Sequence, residues 1–378
     1  MAEGHHVTGT LEGLTVVDLS WGRPGPLCTG LLADHGATVV RVEPPGGDPY
    51  RGSVARAAYD RGKRSMILDL HTSEGRDALD RLLATADVMV ESWQPGVADK
   101  LGLGYDAVHA RHPRLVYCSI TGFGLEGTRR DLPGYESLVA ARLGSMALAG
   151  QGGEPAYPAV PIGGLGAGLL AVIGIMAALV VREDTGVGQR VDTSVYDGAL
   201  SFLNMFWEGL ENLPDDAERP KSPTPRRFMM ASMRCADGEY LGVHTGAAGS
   251  YNRLMDALGL SDRVPPPPGN REKAVPLSDE EYRIVTTEVP RIFASRPRAH
   301  WLAELRAHDV CAIPVLRPGE ALVEPQALHN DIVVHVDDPE LGPLAQVGVA
   351  TKMARPGAVR GPAPVPGADT DAILRELR

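Results

Sequence analysis

The sequence contains no GxSxG, no HExxH and no GxxxxGK[ST], and Gly36, Gly46 and Gly47 do not make the GxGxxG that follows the first strand of a dinucleotide-binding unit. Those absences remove the simplest arguments for a serine hydrolase, a zinc peptidase, a phosphate-loop enzyme and a dinucleotide oxidoreductase. The eleven histidines show no other spacing that points to zinc, and His5 with His6 makes a poor metal site. There are only four cysteines, Cys28, Cys118, Cys235 and Cys311, far apart and without a CxxC pair. Reduced thiols and a cytoplasmic setting are expected from that usage. No basic run interrupts a net charge of −11. Without clustered cations to displace phosphate counterions, a general nucleic-acid binder is excluded. No positively charged start followed by an apolar run opens the sequence, so a secretory leader is not expected. No internal repeat is found.

What is present is a chain of 378 residues with 43% hydrophobic residues, enough for two or three domain-sized units. Its 44 glycines and 31 prolines are spread without a period and therefore punctuate loops. One stretch, Val160 to Val181, is free of charge and long enough to span a bilayer. Gly163, Gly164, Gly166 and Gly168 crowd its first half and no second such stretch exists, so a helix buried inside the protein is expected and no membrane partner.

The first ninety residues alternate short apolar runs with helical patterns, as parallel strands joined by crossover helices do. Strands are expected at Leu14–Leu19, Ala37–Val42, Ser65–Leu70, Asp87–Glu91 and Leu115–Ile120. Helices are expected at Leu27–His35 and at Ser73–Ala84, the latter capped by Thr72 or Ser73. This is an α/β, doubly wound pattern, and its ligands belong beyond the carboxyl ends of the strands, at the loops after Leu19, Val42, Val90 and Ile120. From Glu211 to Arg227 the sequence turns polar and proline-rich, which reads as a linker. A smaller α/β or α+β unit follows, with a strand at Glu239–Val243 and helices at Ser250–Leu258, Asp279–Ala294 and Arg298–His308. Pro265–Pro268 reads as an extended surface loop, and a short strand is expected near Ile332–Val336.

These segments resemble the class III (CaiB/BaiF-type) coenzyme A transferases over almost the whole chain. The resemblance rests on LEGLTVVDLS from Leu11, GPLCTGLLADHGATVVRVEPPGGD from Gly25, RGKRSMILDLHTSEG from Arg61, ADVMVESWQPG from Ala86, YCSITGFG from Tyr117, the apolar segment from Gly168 and HDVCAIPV from His308. It implies a Rossmann-like large domain of residues 1–206 with 320–378, a linker at 207–227, a small domain of 228–319, and two subunits interlocked like chain links. It also implies an acyl-CoA and a carboxylic acid as substrates, with no permanently bound cofactor.

Such enzymes need a nucleophile that can leave again, and a carboxylate suits this because CoA thiolate reopens its mixed anhydride. In a family pattern resembling G-D-x-x-x-G that group is an Asp, and the matching text here, Pro161-Ile162-Gly163-Gly164-Leu165-Gly166, puts Gly164 in its place. Related racemases pair the Asp with a His where this chain has Tyr135. The resemblance therefore implies a subunit without its own nucleophile, working beside an Asp-bearing paralogue in a homo- or heterodimeric arrangement. A non-catalytic CoA-binding scaffold is the alternative, as is a self-sufficient enzyme using Glu136. Tyr135 is either a neighbour of the thioester or a packing residue. For CoA the resemblance points to Gly22 and Arg23 beside Trp21, to Leu68 and His71, to Ser92, Trp93 and Gln94, and to Lys100, with Arg23 on a phosphate and Trp93 at the adenine. Pro44 and Pro45 stand where the family often has Arg. Phe228, Met229, Met230 and Met233 either line an acyl pocket or pack in the core.

Overall fold

The structure, a computed structural model, describes residues 9–50, 54–146, 154–207, 230–264 and 277–378. The linker 208–227, Phe228, Met229, the side chain of Met230 and Pro265–Pro268 lie outside the described residues. The chain divides into two compact units, Met1–Glu211 with Glu324–Arg378 and Asn212–Val323.

In the first unit β1 (Thr15–Asp18), α1 (Pro24–Asp34), β2 (Thr38–Glu43), α2 (Ala55–Tyr59), β3 (Arg64–Ile67) and α3 (Ser73–Ala84) come first. Next are β4 (Val88–Glu91), α4 (Val97–Lys100), α5 (Tyr105–Arg111), β5 (Val116–Thr121), α6 (Glu136–Arg142), α7 (Ile162–Thr185), β6 (Arg190–Ser194) and α8 (Val195–Trp207). The six strands form one parallel sheet in the order β3-β2-β1-β4-β5-β6. Strands buried on both faces need apolar side chains at successive positions, which is why β1 reads TVVD and β4 VMVE. Val16, Val39, Val88 and Val116 point to one face with Cys28 and Leu32 of α1 and Ala171 and Ile175 of α7. Val17, Val40, Met66 and Met89 point to the other with Leu79 and Leu82 of α3 and Val108 of α5. Helices on both faces make this a doubly wound, Rossmann-like α/β unit. Thr72 caps α3 by accepting from the Gly75 N–H at 3.1 Å.

The long apolar segment is α7, long and apolar enough to cross a membrane. Its glycines serve close helix contact. A Cβ on Gly166 would stand 2.6 Å from the Gly198 carbonyl oxygen of α8, and one on Gly168 2.9 Å from the Pro24 carbonyl oxygen at the start of α1. The opposite side leaves Leu169, Ile173 and Val180 exposed, and α8 exposes Leu200 and Phe202.

The second unit is a three-stranded antiparallel sheet, β7 (Met230–Arg234), β8 (Tyr240–His244) and β9 (Cys311–Pro314), with α9 (Ser250–Ala257), α10 (Asp279–Phe293) and α11 (Arg298–Ala307). Antiparallel pairing selects α+β of the two arrangements left open above. Its core holds Leu241, Leu254, Ile284, Phe293 and Trp301, and Met233 is one of its buried members, which settles that methionine as a packing residue.

The chain returns to the first unit through α12 (Pro325–His329) and the hairpin β10 (Val333–Asp338) with β11 (Gly342–Val347). It ends on α13 (Thr370–Glu376) beside β3, the edge of the parallel sheet. There Asp369 accepts from the Ser65 N–H at 2.9 Å and Thr370 from the Ile67 N–H at 3.1 Å, so side chains take the place of a seventh strand.

Candidate functional site

The strand order reverses between β1 and β4, and a cleft opens beyond their carboxyl ends. Its volume is about 1050 Å³, ample for a cofactor-sized ligand. Ser92 ties its two sides together. The Ser92 hydroxyl accepts from the Trp21 N–H at 2.7 Å and donates to the Trp21 carbonyl at 3.1 Å. With both roles filled by backbone, Ser92 holds the loops after β1 and β4 in register.

The residues expected at the CoA site and the catalytic position border this one cleft: Gly22, Arg23, Leu68, His71, Ser92, Trp93, Gln94, Lys100, Tyr135, Glu136 and Gly164. Leu68 is buried in its floor, and Trp93 packs one side on the core beneath α3. His71, Gln94 and Lys100 are exposed along the rim. Gly22 has φ +78, which only glycine adopts without strain, and a Cβ there would face Cε2 of Tyr50 at 4.0 Å.

At the head of α7 the Glu136 carboxylate receives two backbone hydrogen bonds, from Gly163 N at 2.8 Å and from Gly164 N at 2.7 Å. These N–H groups have no partner within their own helix, and the helix dipole favours an anion there. Gly164 is helical, without positive φ, and a Cβ on it would meet only Oε2 of Glu136 at 3.2 Å and Cβ of Arg23 at 3.9 Å. Position 164 therefore faces the cleft with a carboxylate already beside it. Tyr135, the N-cap residue of α6, is 61% exposed in the single chain and borders the cleft.

Beneath the cleft lies a buried charge cluster. Lys63 donates to Asp60 at 2.8 Å, to Thr29 at 2.8 Å and to Asp18 at 3.0 Å. Arg41 lies 3.3 Å from Asp60 and 3.4 Å from Asp18, and it also pairs with Asp48. Burial alone would raise the Asp18 carboxyl, but Lys63 and Arg41, with the Ser20 and Thr29 hydroxyls, hold it well below the usual carboxylate range. Asp48 also accepts from the Tyr50 N–H at 2.7 Å, so the cluster fixes the loop that carries Tyr50 over the cleft.

The CoA-transferase family III model matches residues 11–370. The chain belongs to this family. It is 31% identical over 376 residues to the alpha-methylacyl-CoA racemase of Homo sapiens, covering 97% of this chain and 93% of the relative. It is also 31% identical over 375 residues to the formyl-CoA:oxalate CoA-transferase of Streptomyces avermitilis, covering 92% and 90%. A CaiB/BaiF family protein from Brucella suis superposes with a TM-score of 0.83 at 28% identity, over 98% of this chain and all of that one. At family level the protein is a CoA-binding acyl-CoA enzyme. Equal identity to a racemase and to a transferase leaves the reaction to the site.

In this family III chain a buried carboxyl stands behind the Ser92–Trp93 wall of the cleft. Glu91, at the carboxyl end of β4, accepts from the Trp93 N–H at 2.8 Å and from the Ser119 hydroxyl. Burial pushes its carboxyl up to about 7. Between its ordinary 4.5 and about 7, the folded chain keeps a proton that the unfolded chain releases. Unfolding free energy therefore falls as pH rises through that window, by on the order of 3 kcal/mol. Glu91→Gln keeps an acceptor and a donor and is expected to flatten this loss. Thermal unfolding at about pH 5 and about pH 8 checks it, and an unchanged profile would assign the titration to another group.

Sequence reasoning missed Tyr50, Asp48 and the Asp18–Arg41–Asp60–Lys63 cluster. One signal was available: Asp18 and Arg41 sit inside strands that read as buried, where a charge demands a partner.

Proposed function

We propose that this chain binds an acyl-CoA across the cleft, with the thioester at the head of α7, and transfers CoA between carboxylic acids together with a paralogous subunit that carries Asp at the position of Gly164. The observation that carries this reading is the bare, cleft-facing Gly164 whose N–H, with that of Gly163, is taken up by Glu136. The carboxylate at the site is thus held as a helix-capping group. In the reaction a nucleophilic carboxylate attacks the thioester carbonyl, CoA thiolate leaves and a mixed anhydride forms. CoA thiolate then attacks the protein-side carbonyl of the anhydride, releasing the donor acid and leaving a protein–CoA thioester. The acceptor carboxylate displaces CoA thiolate to form a second anhydride, and CoA thiolate attacks its acceptor-side carbonyl, giving the new acyl-CoA and the free carboxylate. Tyr135 in place of a His speaks against racemisation. The exposed Leu169, Ile173, Val180 and Phe202 offer apolar surface for a second subunit, in keeping with an interlocked dimer.

Co-expression with an Asp-bearing paralogue is expected to give a heteromer by native mass spectrometry and transferase activity that neither chain shows alone. A homomer that turns over unaided would sink this reading. It would favour a second one, supported by the contact between Glu136 and position 164, in which Glu136 is the nucleophile. Hydroxylamine would then trap an acyl group on Glu136. CoA binding with no turnover in any pairing would leave a scaffold.

A further inference from the structure

Resting on the acyl-CoA reading of the cleft, we propose that Asp48 is a positioning residue for the ligand: by anchoring the loop after β2 on the buried Arg41, it holds the ring of Tyr50 against the bound acyl-CoA. The loop, residues 44–50, has little else to give it a shape. Asp48 is its only buried residue, Pro44, Pro45 and Pro49 carry no N–H, and Gly46 and Gly47 both stand at positive φ. A surface stretch without an apolar anchor has many conformations open to it. Here one carboxylate selects among them. Oδ1 of Asp48 accepts from the Tyr50 N–H at 2.7 Å, and Oδ2 pairs with the Arg41 guanidinium, which β2 holds in register with Asp18 on β1.

What this anchor places is an exposed aromatic side chain at the edge of a cavity. Tyr50 is 48% exposed and borders the cleft, with Cε2 4.0 Å from the point a Cβ on Gly22 would occupy. Partial burial, followed by the neighbouring Tyr135 and by Asp48, raises its phenol above the usual tyrosine value. The ring therefore stands between the loop after β1 and Tyr135, with a face left open for a ligand to cover. Burying charge costs more than burying an apolar side chain of the same size, so stability alone would favour an apolar anchor at position 48. Presenting one ring in one place is what the directional ion pair adds.

Calorimetry on the full chain with CoA and acetyl-CoA tests this through a double-mutant cycle. Tyr50→Ala is expected to weaken both ligands roughly tenfold, and Tyr50→Phe to stay within about twofold of wild type. Asp48→Ala keeps the ring but not its anchor and should weaken binding to a similar degree. Asp48→Asn, which retains an acceptor for the Tyr50 N–H, should fall in between. The decisive variant combines Asp48→Ala with Tyr50→Ala and should bind about as Tyr50→Ala does alone, because a loop without the ring has nothing left to place. Losses that multiply in the double variant would overturn the assignment, since a general loosening of the fold behaves that way. If Asp48→Ala does not fold by circular dichroism, Asp48→Asn takes its place in the cycle. Tyr50→Ala binding as tightly as wild type would overturn this assignment and leave the acyl-CoA reading standing. If wild type binds neither ligand, the acyl-CoA reading falls and this inference with it.

Discussion

Gly164→Asp is expected to fold with stability within about 1 kcal/mol of wild type and to acquire an acyl adduct when incubated with a bound acyl-CoA. A glycine is irreplaceable where φ is positive or where backbone presses on its Cα, and neither holds here. The closest atom to a new Cβ is the end of the flexible Glu136 side chain, at 3.2 Å, and an Asp in the first turn of α7 is favoured by the helix dipole. The new carboxylate will compete with Glu136 for the Gly164 N–H, and two carboxylates in contact raise the pKa of one of them. The adduct is therefore expected to form faster as pH rises. Gly166→Ala is the contrasting control. There a Cβ would meet the Gly198 backbone at 2.6 Å, and overpacking of about 1–3 kcal/mol should lower the melting temperature. Intact-mass spectrometry of Gly164→Asp, with and without hydroxylamine, reads the result. A folded variant that binds acyl-CoA yet never gains mass would mean that the site differs from a transferase in more than one side chain.

Lys63→Met should be strongly destabilising, at about 3–5 kcal/mol, because it leaves Asp18 and Asp60 buried with Arg41 as their only ion-pair partner among the described residues. The sign of the pH dependence distinguishes this from a simple packing defect. In wild type the depressed Asp18 pKa supplies stability above the ordinary carboxylate range, and that stability is lost as pH falls. Without Lys63 burial dominates, Asp18 prefers its proton, and the gap between variant and wild type should narrow in acid. Urea unfolding at about pH 7 and about pH 4.5 measures it, and a gap that stays constant would place the cost in lost packing alone.

The parts of this protein legible in the sequence are those fixed by neighbouring residues. The period-free apolar runs of β1, β2 and β4 and the Thr72 cap of α3 need only local patterning, and they fall within a residue or two of their expected places. Motif order brought Trp93, Gly164 and Tyr135 to one site before any coordinates. What could not be read is set by contacts across long separations. The Ser92 hydroxyl reaches Trp21, 71 positions away, and Lys63 reaches Asp18, 45 positions away. Glu136 looked like a free carboxylate because nothing in its own segment announces two N–H donors 27 and 28 residues downstream.

The side chains that close the β3 edge also set a timetable. Residues 9–207 carry all six strands of the parallel sheet, yet the groups that cover the Ser65 and Ile67 N–H belong to Asp369 and Thr370. On the ribosome the sheet can be assembled while the second unit is still being made, and throughout that interval its outer strand is open to pairing with other chains. Translation of well over a hundred further residues separates a formed nucleotide-type sheet from a protected one. The nascent chain is most exposed to misassembly in that interval, when most of its core is already in place.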